Sequence, residues 1–273
     1  MTIKPVCLTI AGLDPSGGAG IIADVRSFSA FGCVAAAAVS SITFQNTTGV
    51  FGKVDQSAQT VSSQVQAVLD DLRVSAIKMG MLPTPEVIAE TSRLIKESGI
   101  ENIVVDPVVR STSGFDLIDD EALRALIDHL FPLALVITPN IPEAERICGT
   151  VIRSEQDLLN AGEQMLAMGA KNVLIKGGHA RATLAPSSAG KAVDVLFNEN
   201  GVERFENDRI GTDGIHGTGC SLSAAIAANL ALGRSVPQAI RIAKDFVFEG
   251  IRTAEKIGSG HAPVNIPSIW PKE

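Results

Sequence analysis

The 273-residue chain is 45% hydrophobic and only 19% charged, so it has ample apolar material for a buried core and is far from a disordered composition. Its net charge of −7, with acidic and basic residues interspersed, lacks the concentrated basic footprint that a nucleic-acid or anionic-membrane surface requires. Aromatic residues are 4% while alanine and glycine abound, a composition suited to helices packed closely on a sheet. The four cysteines, Cys7, Cys33, Cys148 and Cys220, form no CxxC pair and read as those of a reduced, cytoplasmic protein. No apolar run approaches the ~18–20 residues of a membrane span, so a soluble protein is expected.

In chain order, a strand-like run at Val6–Ala11 opens on the glycine loop Gly12-Leu13-Asp14-Pro15-Ser16-Gly17-Gly18-Ala19-Gly20 and a helix over 20–31. The loop does not fit GxGxxG and no acidic residue ends the next strand, which argues against a dinucleotide fingerprint. Close backbone approach to a small ligand fits better, with Asp24 either a hydrogen-bond acceptor or a solvated first-turn carboxylate. The next strand, Val34–Phe44, runs into Gln45-Asn46-Thr47-Thr48-Gly49. That is a turn sequence, yet the Gln45 carboxamide can also accept from an exocyclic amine and donate to the adjacent ring nitrogen, as glutamine does with adenine.

Helix 57–72, strand Ala76–Met79, helix 85–98, strand Asn102–Asp106, helix 119–130 and strand Leu133–Thr138 follow. The last leads through Pro139-Asn140-Ile141-Pro142-Glu143 into a helix ending at Cys148. Asn140 and Glu143 are three apart. They suit a helix cap with a first-turn carboxylate, and equally a pair sharing one face toward hydrated Mg²⁺, with Asp106 as a further carboxylate. Helix 154–168 precedes strand Asn172–Lys176, whose terminal Lys176 is either solvated or aimed at polyphosphate. After the small, polar stretch 180–190, expected as a surface loop, Ala192–Phe197 and Val202–Phe205 suggest a hairpin.

Ile215-His216-Gly217-Thr218-Gly219-Cys220-Ser221 then heads an alanine-rich helix over 218–232. Glycines at a helix start let successive backbone N–H groups converge, and with the helix dipole they suit a phosphoryl group in flight. Cys220, in the first turn, is expected to have a lowered thiol pKa. A helix over 236–257 closes the pattern, and the tail from Gly258 is expected to lie extended on the surface. Repeated strand–helix alternation implies a mostly parallel sheet covered on both faces, with no composition break inside residues 1–273 to divide it into domains. Ligands of such sheets sit at the carboxyl ends of the strands, where these segments fall. A Walker A loop is absent: Ser188-Ala189-Gly190-Lys191-Ala192 lacks both its leading glycine and its final Ser/Thr. His129, His179, His216 and His261 have no zinc spacing, and no GxSxG elbow occurs.

In this order the stretches TIAGLDPSGGAGIIAD, SITFQNTTGV, IKMGML, VVDPVV, ITPNIPEAE, LIKGGH, AVDVLF and HGTGCSLSAAIAANLALG resemble the hydroxymethylpyrimidine/phosphomethylpyrimidine kinases of the ribokinase-like superfamily. The resemblance runs from about Val6 to Ala254. It implies an α/β fold, a three-layer αβα sandwich with a mostly parallel central sheet and no separate lid domain. It also implies transfer of phosphoryl from ATP, with Mg²⁺, to a hydroxymethylated aminopyrimidine and then to its monophosphate, feeding thiamine synthesis, in a homodimer. By the same resemblance Gln45 holds the pyrimidine edge, while Gly12, Ala19, Asp24, Val39 or its neighbours, and Met81 wall the pocket. Gly217, Thr218 and Gly219 form the anion hole, Cys220 approaches the substrate hydroxyl, and Lys176 meets the ATP phosphates. Asp106, Asn140 and Glu143 handle Mg²⁺ through water.

Cys220 stands where sugar kinases of the superfamily carry aspartate. Two features depart from the family pattern: Asp213-Gly214-Ile215 before HGTGC, and the length of 180–190. The nearest competing activity is that of a pyridoxal kinase of the same fold, which Gln45 disfavours because pyridoxal offers a phenolic oxygen instead of an amidine-like edge. A non-catalytic nucleotide- or vitamin-binding module is disfavoured by the joint presence of Lys176, Glu143 and Cys220, and a nicotinamide dehydrogenase is more distant still.

Overall fold

A computed structural model describes residues 3–109, 117–177, 190–211 and 214–271. Most of the stretch 180–190, His179 and Asp213 lie outside the described residues. The elements, in order, are β1 (Val6–Leu13), α1 (Gly20–Ala30), β2 (Val34–Asn46), β3 (Gly49–Asp55), α2 (Ala58–Asp71), β4 (Val74–Met79), α3 (Pro85–Ser98), β5 (Ile103–Val105) and α4 (Asp120–Leu130). They continue with β6 (Val136–Ile137), α5 (Ile141–Cys148), α6 (Glu155–Ala167), β7 (Asn172–Ile175), β8 (Lys191–Asn198), β9 (Gly201–Asp208), β10 (Ile215–His216), α7 (Thr218–Ala231), α8 (Val236–Arg252) and β11 (Ala262–Pro263).

Nine strands form one sheet in the order β3-β2-β1-β4-β5-β6-β7-β8-β9. The pairings from β2 through β7 are parallel, and the edges, β3 on one side and β8–β9 on the other, are antiparallel. Strand periodicity assigns the two faces. Leu8, Ile10, Ile77, Met79, Ile103, Val105, Val173 and Ile175 pack in one core with side chains of α2 through α6. Their neighbours Cys7, Ala76, Val104 and Leu174 point the other way, into a core shared with α1, α7 and α8. This is the three-layer αβα arrangement.

The second core is built from small residues. Ala224, Ala225, Ala227 and Ala228 of α7 are wholly buried, which lets that helix lie close to the sheet and to α1. Phe31, Phe246 and Trp270 close its end, with ring centroids 5.0 to 6.5 Å apart.

Three features differ from the sequence expectations. The second strand extends through Asn46, and the expected turn closes at Thr47–Thr48 into a hairpin whose return strand, β3, was not expected. The last long helix stops at Arg252, short of Ile257. The tail is tied down as well: β11 pairs with β10, and His261 N–H donates to Thr47 O at 2.8 Å. No helix among the described residues is long and apolar enough to cross a membrane.

Candidate active site

The carboxyl ends of β1, β2, β4, β5, β6 and β7 border one cavity of about 640 Å³, a volume suited to a small-molecule site. Gly12, Ala19, Gln45, Met81, Asp106, Asn140, Glu143, Lys176, Gly217, Thr218, Gly219 and Cys220 all line it, so the structure gathers almost every residue singled out from sequence.

The start of α7 is built to be left open. Helices α2 through α6 begin with side-chain caps from Ser57, Thr84, Asp119, Asn140 and Ser154. By contrast α1 and α7, whose first turns border the cavity, begin at Ala19 and Gly217 without one. The opening N–H groups of α7 thus have no side-chain acceptor of their own, the arrangement that suits an anion at a helix start. Gly217 has φ +86°, and a Cβ there would sit 1.8 Å from Gly18 O. The two glycine loops therefore touch backbone to backbone, which only glycine permits.

Cations and carboxylates ring this helix start. Lys176 Nζ donates to Asp106 Oδ1 at 2.8 Å and stands 4.0 Å from Glu143 Oε2. A Cβ at Gly219 would be 3.1 Å from the same ammonium, so the lysine lies against the opening turn of α7. Burial works against the Lys176 charge, but Asp106 and Glu143 outweigh it and hold its pKa above the ordinary value. Burial likewise opposes ionisation of Asp106, yet Lys176 and Lys78 keep it below the usual carboxylate range. Glu143 goes the other way: burial, only partly offset by Lys176, pushes it up to about 7. Asn140 and Glu143 form a complete capping box, with Glu143 N–H donating to Asn140 Oδ1 at 2.9 Å and Asn140 N–H donating to Glu143 Oε2 at 2.7 Å. The capping alternative is realised, and among the described residues no cluster of three acidic, histidine or cysteine side chains could grip a metal directly.

Three expectations need correcting. Asp24 does not reach the cavity wall. It is wholly buried on the inner side of α1, where its Oδ2 accepts from Lys78 Nζ at 2.8 Å and Thr9 Oγ1 at 2.6 Å, while its Oδ1 has no hydrogen-bond partner. Val39 does not line the cavity either; its backbone N–H donates to Gln64 Oε1 at 2.9 Å. Nor is the Cys220 thiol lowered by its helix. Burial pushes it up to about 11, with Lys78 opposing and Asp24 reinforcing the rise.

A family model described as phosphomethylpyrimidine kinase matches residues 14–265. The chain belongs to the phosphomethylpyrimidine kinase family. It is 40% identical over 258 residues to a hydroxymethylpyrimidine/phosphomethylpyrimidine kinase of Bacillus subtilis (strain 168), covering 94% of this chain and 93% of that protein. The crystal structure of phosphomethylpyrimidine kinase from Clostridium difficile 630 is 42% identical with a TM-score of 0.78, covering 91% of this chain and all of that one. An ADP complex of Bacillus subtilis pyridoxal kinase superposes with a TM-score of 0.86 at 34% identity, covering 97% of this chain and 98% of that one. The fold is ribokinase-like, and this phosphomethylpyrimidine kinase family member is a kinase.

Several residues of the site escaped sequence reasoning. Lys78 is the next-to-last residue of β4, wholly buried, and lines the cavity; Gly80 leaves it room, since a Cβ there would be 2.9 Å from Nζ. Burial alone would discharge this ammonium, but Asp24, Cys220 and Asp106 raise its pKa above the ordinary value. The signal was a lysine inside the apolar run Ala76-Ile77-Lys78-Met79, which demands a buried counter-ion. Asp194 and Lys244 form a second buried pair, at 2.6 Å, on the same face of the sheet. Asp194 also accepts from Gly177 N–H at 2.8 Å, tying β8 to the loop after Lys176. Asp14 and His216 meet at 2.8 Å across the two glycine loops.

Proposed function

We propose that this chain transfers the γ-phosphoryl group of ATP to the hydroxymethyl oxygen of 4-amino-5-hydroxymethyl-2-methylpyrimidine, and then a second phosphoryl group to the monophosphate formed. The observation that carries this reading is that the Gln45 carboxamide and the uncapped start of α7 face one cavity. The pyrimidine edge meets Gln45, its ring lies against Gly12, Ala19 and Met81, and its hydroxymethyl group points to Cys220. The N–H groups from Thr218 to Cys220, with Lys176, receive the oxygens of the transferring group. Phosphoryl transfer through a loose transition state needs positioning and charge neutralisation more than early proton abstraction. A thiol with a pKa of about 11 is protonated at neutral pH. Cys220 therefore orients the hydroxyl, whose proton passes to an oxygen of the transferring phosphoryl group as the new P–O bond forms, while the bond to the ATP β-phosphate oxygen breaks and ADP leaves.

Mg²⁺ fits the site only as an ion carried on ATP, where it would neutralise phosphate charge. The Asn140 side chain is committed to its cap, which leaves Asp106 and Glu143 to hold the hydrated ion through water. We also propose a homodimer. The outer side of the β2–β3 hairpin exposes Ile42, Phe44, Phe51 and Val54, an apolar edge suited to a second copy.

Pyridoxal phosphorylation is a second reading, favoured by the TM-score of 0.86 to a pyridoxal kinase. Incubation of the enzyme with ATP, Mg²⁺ and each of hydroxymethylpyrimidine, its monophosphate and pyridoxal, followed by phosphorus NMR, separates the two. Phosphomonoester and then diphosphate signals from the pyrimidine are expected. Phosphorylation of pyridoxal alone would overturn the proposal.

A further inference from the structure

Gln45 is not free to turn. Its Nε2 lies 2.9 Å from His216 Nε2, its Oε1 lies 3.2 Å from Thr43 Oγ1, and the same His216 nitrogen is 2.8 Å from Asp14 Oδ2. With the amide this way round, the protons do not add up. The single Thr43 hydroxyl proton already goes to Leu13 O at 2.8 Å, so none is left for Gln45 Oε1. His216 Nε2 would have to accept from Gln45 while facing a carboxylate oxygen, which itself requires a donor.

Asp14 is an ionised acceptor. Its Oδ1 receives the Ser16 N–H and hydroxyl at 2.8 and 2.7 Å, and its Oδ2 receives the Ala19 N–H at 2.9 Å. Burial opposes its charge, but hydrogen bonds from His216 and Ser16 hold its pKa below the ordinary value. Nε2 of His216 therefore carries a proton. Exchanging the nitrogen and oxygen of Gln45 leaves the heavy atoms where they are and removes both conflicts. Oε1 then accepts from His216 Nε2–H, a proton shared with Asp14. Nε2 donates to Thr43 Oγ1, and Thr43 donates onward to Leu13 O. One lone pair and one N–H of the carboxamide remain, side by side. They match a ring nitrogen flanked by an exocyclic amine.

We infer that His216, held by Asp14, is a positioning residue that fixes which way round the Gln45 carboxamide stands, and thereby sets the preference for an aminopyrimidine edge. This rests on the substrate proposed above. The imidazole is itself well seated. A Cβ at Gly18 would come within 2.5 Å of its Cδ2, so the ring lies directly on that glycine's backbone. His216 O accepts from Val264 N–H at 3.0 Å, and His216 pairs with Pro263 across the β10–β11 ladder. Gly217, the next residue, opens α7. One turn thus aims the ring at Gln45 and the helix amides at the cavity.

The test is a double-mutant cycle of wild type, His216→Phe, Gln45→Ala and the pair, with KM and kcat measured for hydroxymethylpyrimidine and KM for ATP. Each single change is expected to raise the pyrimidine KM roughly 10- to 100-fold, the range of a bidentate amide contact. The pair should raise it no further than the larger single, and the ATP KM should stay unchanged. Multiplicative effects in an active enzyme, or an equal rise in the ATP KM, overturn the inference alone. Absence of any pyrimidine product from the wild type overturns the substrate proposal together with it. Nitrogen-15 NMR of histidine-labelled wild-type protein needs no variant to fold: a protonated His216 Nε2 is expected, and an unprotonated one contradicts the assignment.

Discussion

The buried charges of the site come as partnered groups, and each partnership makes a demand on the fold. Lys78 and Asp24 are both wholly inaccessible and 2.8 Å apart. Removing one member strands the other's charge in the interior, which costs about 3–5 kcal/mol, whereas removing both replaces a desolvated pair by apolar packing. Urea denaturation should therefore show Lys78→Met and Asp24→Leu each strongly destabilised and the double variant closer to wild type. A double variant as weak as the sum of the singles would refute the pairing account. Cys220 supplies a second test, because it is only half-buried whereas the other three cysteines are buried. With its pKa near 11, its alkylation by iodoacetamide should climb about tenfold per pH unit between pH 7 and 10, following the thiolate fraction. A rate already level by pH 8, measured by peptide mass spectrometry, would mean the thiol is activated after all.

Among the elements, α7 carries the most chemistry and is the least amphipathic. Its buried alanines set the distance to the sheet, and its uncapped start opens on Lys176. Gly219 isolates the second property from the first. A Cβ there meets no backbone and only the Lys176 ammonium at 3.1 Å, with Asp106 Oδ2 at 3.7 Å. Gly219→Ala keeps its N–H but crowds the Lys176 ammonium, so it should fold with a near-native melting temperature yet lose about 10²–10³ in kcat, the scale of one displaced oxyanion-stabilising group. Unchanged turnover would place the transferring phosphate elsewhere. Much of this was legible beforehand. HGTGC at the head of an alanine-rich run gave the helix start, and Asn140 gave a cap with Glu143 in the first turn, though not their reciprocal bonding. The turn after Phe44 gave no sign of β3, since Phe44↔Gly52 pairing beside a bulge breaks the alternation that marks a strand. Asp24 misled because a carboxylate near a helix start looks the same in sequence whether it faces ligand or lysine; only the fold reveals Lys78 beneath it.

Across the whole molecule, long-range ties between distant segments complete the site. Asp14 meets His216, Gly18 packs on Gly217, and the tail at Gly260 and His261 bonds Thr47 of the β2–β3 turn. Such contacts between segments some 200 residues apart have no local signature, so sequence reading found the loops without their mutual contact. The exposed hairpin edge makes its own prediction. Phe51, 69% exposed, should lie in the dimer contact, and Phe51→Asp should shift sedimentation velocity from dimer to monomer. A wild-type monomer at micromolar concentration would contradict that arrangement. Most directly of all, a crystal structure with hydroxymethylpyrimidine and a non-hydrolysable ATP analogue tests where the chemistry happens. The pyrimidine edge should lie on Gln45 beside Met81, with the γ-phosphate on the N–H groups of Thr218 to Cys220. A pyrimidine bound away from Gln45, or a γ-phosphate out of reach of α7, would contradict it.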